Sequence, residues 1–233
     1  MAVLEGFASP ARVAALSATL QEHYPDSFAA LVPRDHLIVG DQRFAFPVAL
    51  GPPFEIETLL CDPVLDAVLT PLLGSDWTVE SLGVVITSSN ADTMRIHRDG
   101  RWLFGEAGID RILPPVALTL SIPLTDLDEV SGRTQFILGS QREPEPNVDD
   151  EAFVAVDMPT GSCGLWDFRI VHRAEANHSD GVRALLYATV CRPFFYDHQN
   201  FSRTNRKLVI DRATYEALDP AGRSRICRAE FSD

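Results

Sequence analysis

The spacing of apolar residues changes near residue 74 of the chain. Before it, apolar residues recur every three or four positions from Ser9 to Tyr24, where Ser9-Pro10 is a typical helix start, and again over residues 56–73. Asp62-Pro63 is either a break in this second pattern or a new helix start. Residues 1–74 are therefore expected to be largely helical, with a possible strand over residues 36–39.

After residue 74, apolar and polar residues alternate, as is typical of strands. Within residues 116–124, aliphatic residues alternate with Thr119 and Ser121, so these hydroxyl side chains, and Tyr187 by the same logic, are expected to point into a barrel. Other strand-like runs, separated by turn signals, cover residues 77–87, 134–138, 153–156, 163–166, 168–172 and 182–191. Few connections are long enough for crossover helices, which predicts an antiparallel sandwich or barrel.

The length of 233 residues fits a single domain spanning residues 1–233. Within it we expect largely helical support over 1–74, a barrel core over 75–197 and a C-terminal extension over 198–233. The tail has helical spacing again over residues 211–228, with an interruption at Asp219-Pro220.

The charge of the chain restricts its partners. A formal net charge of −13 argues against a nucleic-acid or anionic-membrane surface, because such surfaces need clustered Lys and Arg. The N-terminal residues lack a basic region followed by an apolar run, and no stretch approaches the ~20 apolar residues of a membrane span, so a cytoplasmic protein is predicted. The four cysteines are widely scattered, which favours reduced thiols. No feature of the sequence fixes the oligomeric state.

Candidate metal chemistry lies in the segment M-R-I-H-R-D-G, residues 94–100. In an extended segment His97 and Asp99 project from the same side, which makes half of a metal site. The best third ligand is His172, 75 residues later in W-D-F-R-I-V-H-R. Two imidazoles and one carboxylate form the triad of non-haem Fe(II) oxygenases, although zinc or manganese could bind the same ligands.

A jelly-roll barrel brings such distant residues together at its mouth. The predicted fold is therefore mainly β, a cupin-like jelly roll (double-stranded β-helix) with N-terminal and C-terminal helices packed around it. Arg183 lies 11 residues after His172, across a turn at residues 177–181. A hairpin there would return its guanidinium to the metal, where it is suited to bind the carboxylate of an anionic co-substrate.

These motifs resemble the phytanoyl-CoA dioxygenase family of Fe(II)/2-oxoglutarate oxygenases. The similarity covers roughly residues 93–197, through H-R-D-G, L-T-L-S-I-P-L-T-D-L, S-G-R-T-Q-F-I-L-G-S-Q-R, G-S-C-G-L-W-D-F-R-I-V-H-R-A and V-R-A-L-L-Y-A-T-V-C-R-P-F-F. The resemblance implies that His97, Asp99 and His172 bind iron and that Arg183 binds the distal carboxylate of 2-oxoglutarate. Thr134, in G-R-T-Q-F, lies where some relatives place a hydroxyl that holds the same carboxylate.

The resemblance also implies a reaction. Fe(II), 2-oxoglutarate and O2 would together hydroxylate an unactivated C–H bond of a small organic substrate and release succinate and CO2. The family often has P-G-S-H where this chain has L-G-S-Q at residues 138–141, but that His is not an iron ligand. The carboxylate of Asp99 disfavours halogenation, because halogenating relatives have a small residue there.

Many small bacterial and fungal members of this family act in natural-product biosynthesis, so the resemblance favours that setting. One alternative is oxidation of a fatty acyl-CoA or related carboxylic acid, and another is a non-catalytic cupin-like protein with a non-redox metal.

Several other residues have two interpretations. His178 is a rival distal ligand, although its polar turn favours a solvated position. Three aromatic residues could line the substrate pocket or pack in the core: Trp102, Phe104 and Trp166. A basic cluster could meet an anionic substrate or consist of solvated charges: Arg95, Arg98 and Arg101.

Overall fold

The computed structural model of the chain describes residues 1–29, 37–55, 59–105, 108–197 and 208–232. It confirms a mainly β fold with helices near both ends of the chain. The helices are α1 (Pro10–His23), α2 (Pro25–Phe28), α3 (Pro63–Leu73), α4 (Arg212–Ala217) and α5 (Pro220–Arg225). Single 3-10 turns lie at Ile109–Arg111, Ser140–Arg142 and Asp150–Ala152.

A seven-stranded antiparallel sheet forms one wall of the jelly roll. Its strands are β1 (Ala2–Leu4), β2 (Leu37–Gly40), β3 (Arg43–Pro47), β5 (Thr78–Thr87), β6 (Ala117–Pro123), β9 (Cys163–Asp167) and β11 (Arg183–Cys191). They lie in the order β1-β9-β6-β11-β5-β3-β2, so strands distant in sequence lie side by side.

A smaller antiparallel sheet forms the other wall. Its strands are β7 (Thr134–Phe136), β8 (Val154–Val156) and β10 (His172–Ala174), and they lie in the order β10-β7-β8. A parallel sheet in the order β13-β12-β4 joins the tail to the N-terminal region through β4 (Ala49–Leu50), β12 (Val209–Ile210) and β13 (Glu230–Phe231).

Alternation along the strands gives the large sheet two different faces. On β6, Leu118, Leu120 and Ile122 belong to the apolar core, together with Leu16 of α1 and Leu69 of α3. Burying one such aliphatic side chain contributes about 1.5–3 kcal/mol. The intervening Thr119 and Ser121 line a pocket between the two walls, as does Tyr187 on β11, so the interior positions predicted for all three are confirmed.

The first 74 residues, which were predicted to be largely helical support, contain more β-strand than expected. β2 and β3 extend the large sheet, because the alternating R-F-A-F-P segment of β3 pairs with β5 along its whole length. The possible strand at residues 36–39 is observed as β2, with residue 36 outside the described part of the chain. Asp62 caps a new helix by accepting hydrogen bonds from the amides of Val64 and Leu65.

The predicted strand over residues 168–172 is wrong except at its last residue. Asp167 accepts hydrogen bonds from the backbone N–H and the guanidinium of Arg169, and its carbonyl accepts from the amide of Ile170. These local bonds form a turn, and β10 begins only at His172. The turn carries the chain from the large wall to the small one.

Outside the barrel, the C-terminal prediction is confirmed where the chain is described: α4 ends before Asp219, and α5 begins at Pro220. Residues 198–207, the start of the predicted extension, lie outside the described residues. Within the described ranges, no helix has the length and apolar character needed to cross a bilayer. All four cysteines are described, and none forms a disulfide.

Candidate metal centre and co-substrate pocket

The two candidate histidine ligands lie directly opposite each other on neighbouring backbone segments. The His97 amide donates to the His172 carbonyl at 3.0 Å, and the His172 amide donates to the His97 carbonyl at 2.9 Å. This pair of backbone bonds brings together residues that are 75 positions apart in the sequence. The ring centroids lie 4.2 Å apart.

Backbone carbonyls orient both imidazoles. Nδ1 of His97 lies 3.0 Å from the Arg95 carbonyl, and Nδ1 of His172 lies 3.1 Å from the Ile170 carbonyl. A carbonyl only accepts hydrogen bonds, so we assign the ring proton to Nδ1 in each case, which leaves the Nε2 lone pairs for a metal. Both Nε2 atoms face Oδ1 of Asp99, at 3.8 Å and 3.5 Å.

The donor set fits a divalent transition-metal ion. Ligand atoms of His97, Asp99 and His172 all lie within 4.8 Å of one another. Two neutral imidazoles and one carboxylate suit Fe(II) and its first-row neighbours. The structure therefore brings together the three residues that the sequence predicts as ligands. His178 is exposed in its turn, and its backbone amide binds the Val130 carbonyl.

Asp99 is held by hydrogen bonds to one of its two carboxylate oxygens. Oδ2 accepts from the Thr119 hydroxyl at 2.6 Å and from the Trp166 indole N–H at 2.9 Å. Burial alone would raise the pKa of Asp99, but the two histidines and these two donors outweigh it and lower the pKa. Asp99 is therefore kept as the ionised carboxylate that metal binding requires.

The environment also keeps His97 neutral. Burial and the neighbouring His172 lower the pKa of His97 from 6.5 to about 4, although Asp99 opposes the shift. A neutral imidazole is the form that binds a metal. Burial and proximity thus prepare His97 as a ligand at neutral pH.

The metal centre lies in a pocket of about 330 Å³ between the two walls. Arg183 and Thr134 line the same pocket, as the sequence predicts, and so does Trp166. Trp102 and Phe104, the other two candidate pocket aromatics, are absent from its described lining, whereas Phe168 belongs to it. Two members of the basic cluster, Arg95 and Arg98, also reach the pocket.

Arg183 is a buried cation, with 3% of its surface exposed. Its guanidinium donates to the Gly132 and Ser131 carbonyls and to the Thr87 hydroxyl. Its Nε is buried and has no hydrogen-bond partner among the described residues. Burial and the nearby Arg43 lower the pKa of Arg183 to about 9, while Glu175 opposes the shift. Such a group is stabilised by an anion placed beside it.

A second buried arginine, Arg43, was not found by sequence reasoning. Arg43 on β3 and Arg183 on β11 both pair with Thr87 of β5, so the three residues form one row across three strands. Arg43 is 1% exposed, donates to the Glu175 carbonyl at 3.0 Å and lines the pocket. Its buried Nε also lacks a partner in the described part of the chain, and burial lowers its pKa. The row therefore places two cations in the wall of the pocket.

The fold is similar to several solved structures. HygX from Streptomyces hygroscopicus, solved with nickel, 2-oxoglutarate and hygromycin B bound, matches with a TM-score of 0.63 and 14% identity over 84% of each chain. The epimerase SnoN, solved with Fe3+, alpha-ketoglutarate and nogalamycin RO, matches with a TM-score of 0.59 and 20% identity, covering 82% of this chain and 78% of SnoN. The non-heme monooxygenase ThoJ, in a nickel complex, matches with a TM-score of 0.54 and 18% identity, covering 79% of this chain and 70% of ThoJ. At these identities the likeness supports the jelly-roll fold alone.

The family comparison is independent of these structures. Residues 1–185 match the family described as phytanoyl-CoA dioxygenase (PhyH), which is well over half of the chain. A match of this extent confirms the resemblance in the motifs and the class of enzyme that it implies, an oxygenase dependent on iron and 2-oxoglutarate. The chain belongs to the phytanoyl-CoA dioxygenase family.

Proposed function

We propose that the protein hydroxylates an unactivated C–H bond of a small organic substrate, with Fe(II) bound by His97, Asp99 and His172. The observation that carries this proposal is the convergence of two Nε2 atoms and Oδ1 in the pocket that also contains the buried arginines. When bound, Fe(II), 2-oxoglutarate and O2 supply the oxidising chemistry and release succinate and CO2. The protein binds and orients these groups.

In this proposal the row of Arg43, Thr87 and Arg183 holds the distal carboxylate of 2-oxoglutarate, with Thr134 nearby on β7. Two buried guanidiniums with unpartnered Nε atoms favour an anion in this pocket, and the metal centre favours a chelating ligand. The Glu175 carbonyl accepts from Arg43, while its carboxylate is bound by Arg133 and Gln135.

The substrate would occupy the rest of the pocket. Apolar side chains such as Val85, Phe168 and Leu185 exclude water from part of its wall, which protects a reactive centre. Natural-product modification is our preferred setting, supported by the family resemblance and by the ligands named for the HygX and SnoN structures, hygromycin B and nogalamycin RO. Substrate identity is best sought by screening candidates for succinate release.

A second candidate function, oxidation of a carboxylic acid or acyl-CoA, is favoured by the charge of the pocket. Asp99 is the one carboxylate among its described lining residues, against four arginines: Arg43, Arg95, Arg98 and Arg183. Fe(II) and 2-oxoglutarate carry opposite and equal charge, so positive charge remains once both are bound. Arg98 is held by a hydrogen bond of 2.7 Å to the Glu143 carbonyl and could bind an acidic substrate group.

We also propose that residues 1–233 form one domain. The largest apolar cluster among the described residues runs from Ala8, beside α1, to Ile226, after α5, so residues of both terminal regions share it with the sheet. Limited proteolysis followed by mass spectrometry tests this: one resistant core spanning both ends is expected, whereas two separately stable fragments would contradict it. The cytoplasmic location stays a prediction.

The metal and co-substrate assignments are tested by anaerobic titration of chelator-treated protein with Fe(II) and then 2-oxoglutarate. The wild type should develop a weak visible metal-to-ligand charge-transfer band, and it should release succinate once O2 and a substrate are added. His172→Ala should lose the band and turnover, and Arg183→Ala should need much more 2-oxoglutarate. His178→Ala, which changes an exposed imidazole, is the matched control. Full activity in both site variants would contradict the assignment.

A further inference from the structure

We propose that Thr119 and Trp166 are positioning residues that together direct Asp99 toward the metal through Oδ1 alone. The two side chains donate to the same oxygen, Oδ2, at 2.6 Å and 2.9 Å. The other oxygen, Oδ1, is the one that faces Nε2 of His97 and His172. This inference rests on the proposed function, because it concerns the metal site assigned there.

The two donors form a fork across neighbouring strands. Thr119 on β6 and Trp166 on β9 are paired in register, so the sheet itself sets the separation of the hydroxyl and the indole N–H. Both residues are buried, with 6% and 7% of their surface exposed. The indole ring is packed edge-on against Phe136 at 5.3 Å and lies 5.6 Å from the His172 ring. The fork is therefore fixed by pairing and packing.

Two hydrogen bonds to one oxygen determine how the carboxylate can bind. A carboxylate turns readily about its terminal bond and can bind a metal through one oxygen or both. A hydroxyl has one proton and an indole N–H only donates, so both contacts to an ionised Oδ2 are directional. Turning the carboxylate of Asp99 so that both oxygens face the metal would weaken both hydrogen bonds to Oδ2.

A single bound oxygen from Asp99 leaves more of the metal for exchangeable ligands. Two imidazoles and a monodentate carboxylate use three positions of an octahedral ion, whereas a chelating carboxylate would use a fourth. The fork thus gives Trp166 a role beyond pocket lining or core packing. Loss of either hydrogen bond of the fork is expected to change the metal affinity and the metal coordination of the site rather than substrate binding.

The test removes each donor. Trp166→Phe keeps a smaller aromatic ring without the N–H, and Thr119→Val keeps the branched shape while a methyl group replaces the hydroxyl. Loss of an outer-sphere partner typically weakens metal binding by about 10–100-fold. We expect that loss for Co(II) in competition titrations with a chromophoric chelator, together with an altered visible spectrum of the Co(II) protein. Thr119→Ser, which restores a hydroxyl, should restore both properties.

The chain offers matched controls for both changes. Trp77 is buried and donates its indole N–H to Asp66 at 3.1 Å, and Thr78 donates its hydroxyl to the Arg225 carbonyl at 2.8 Å. Trp77→Phe and Thr78→Val therefore remove the same kinds of bond outside the pocket, and they should leave the Co(II) affinity and spectrum unchanged. Should one fork variant fail to fold by circular dichroism, the other tests the same oxygen.

The outcomes separate this inference from the proposed function. If the wild type binds Co(II), His172→Ala does not, and both fork variants match the wild type in affinity and spectrum, the metal site stands and the positioning role is wrong. If the wild type itself binds no metal, both the proposed function and the positioning role of the fork are wrong. Weaker binding in the fork variants with rescue by Thr119→Ser supports the fork.

Discussion

The desolvated imidazole of His97 should make the metal-free protein lose stability in mild acid. In the folded chain, burial and His172 hold the pKa of His97 at about 4, against an ordinary value of 6.5. Below about pH 6.5 the unfolded chain binds a proton at His97, whereas the folded chain binds this proton only near pH 4. Proton uptake therefore favours unfolding between pH 6.5 and about 4, and the effect is constant outside this window.

The size of the effect follows from the shift. One pKa unit corresponds to 1.36 kcal/mol, so the full shift amounts to about 3 kcal/mol, of which about 2.5 kcal/mol is expressed by about pH 4.5. The side chain of His97 is 22% exposed, so screening by solvent is modest. The lower pH lies above the ordinary pKa of aspartate, and the pKa of Asp99 is lowered further, which limits interference from its titration.

The assay compares His97→Gln with the wild type, both treated with chelator, by urea denaturation at about pH 7.5 and about pH 4.5. Titrating groups that do not interact with His97 contribute equally to both proteins and cancel in the difference, whereas His172 and Asp99 are coupled to His97. On acidification the variant should gain about 2.5 kcal/mol relative to the wild type. His178→Gln, at an exposed position, should show no such gain. Equal acid sensitivity of wild type and His97→Gln would refute the reasoning.

Three further changes have definite expected outcomes. Gly100→Ala should cost about 1–3 kcal/mol of unfolding free energy and weaken metal binding, because its Cβ would lie 2.1 Å from the Phe168 ring. Arg43→Met should weaken 2-oxoglutarate binding, measured by the charge-transfer titration, by about 10–100-fold through loss of a charged hydrogen bond. Arg169→Met should cost about 3–5 kcal/mol in urea denaturation, because it leaves the carboxylate of Asp167 without its buried partner.

Each change has a control within the chain. Gly181→Ala meets nothing within 4 Å and should be close to neutral in stability and metal binding. Arg111→Met removes an ion pair to Glu143 in which the side chains are 52% and 57% exposed, so its cost should be below about 1 kcal/mol. Arg43→Met should bind the metal with wild-type affinity while it binds 2-oxoglutarate more weakly. Equal losses of stability in Arg169→Met and Arg111→Met would contradict the expectation for Arg169. A Gly100→Ala protein with wild-type stability and metal binding would contradict the expectation for Gly100.

Local patterns in the sequence were sufficient where the chemistry depends on spacing. The two-residue separation of His97 and Asp99 and the alternation around Thr119 are properties of an extended chain, so both could be predicted. Arg183 could be placed because a turn signal precedes its strand by only a few residues. The jelly roll followed from many short strands with short connections.

Features that depend on distant pairing could not be predicted. Arg43 lies in a proline-rich region with mixed spacing, and its burial becomes apparent only when β3 joins the sheet beside β5. The chemistry of Trp166 depends on a hydrogen bond to a residue 67 positions away. In residues 168–171 the apolar pattern favoured a strand, but the Asp167 side chain accepts hydrogen bonds from the backbone amide and the guanidinium of Arg169, and a turn forms instead.

The reciprocal backbone bonds between His97 and His172 have a consequence for how the protein acquires its metal. Those bonds fix the two imidazole ligands through the fold itself, so little conformational entropy is left to be lost when an ion arrives. Amide hydrogen exchange at these two residues should be slow in the metal-free protein and change little on loading. The protein would then take up and release its ion without local refolding, and metal exchange would be limited by ligand dissociation rather than by opening of the barrel.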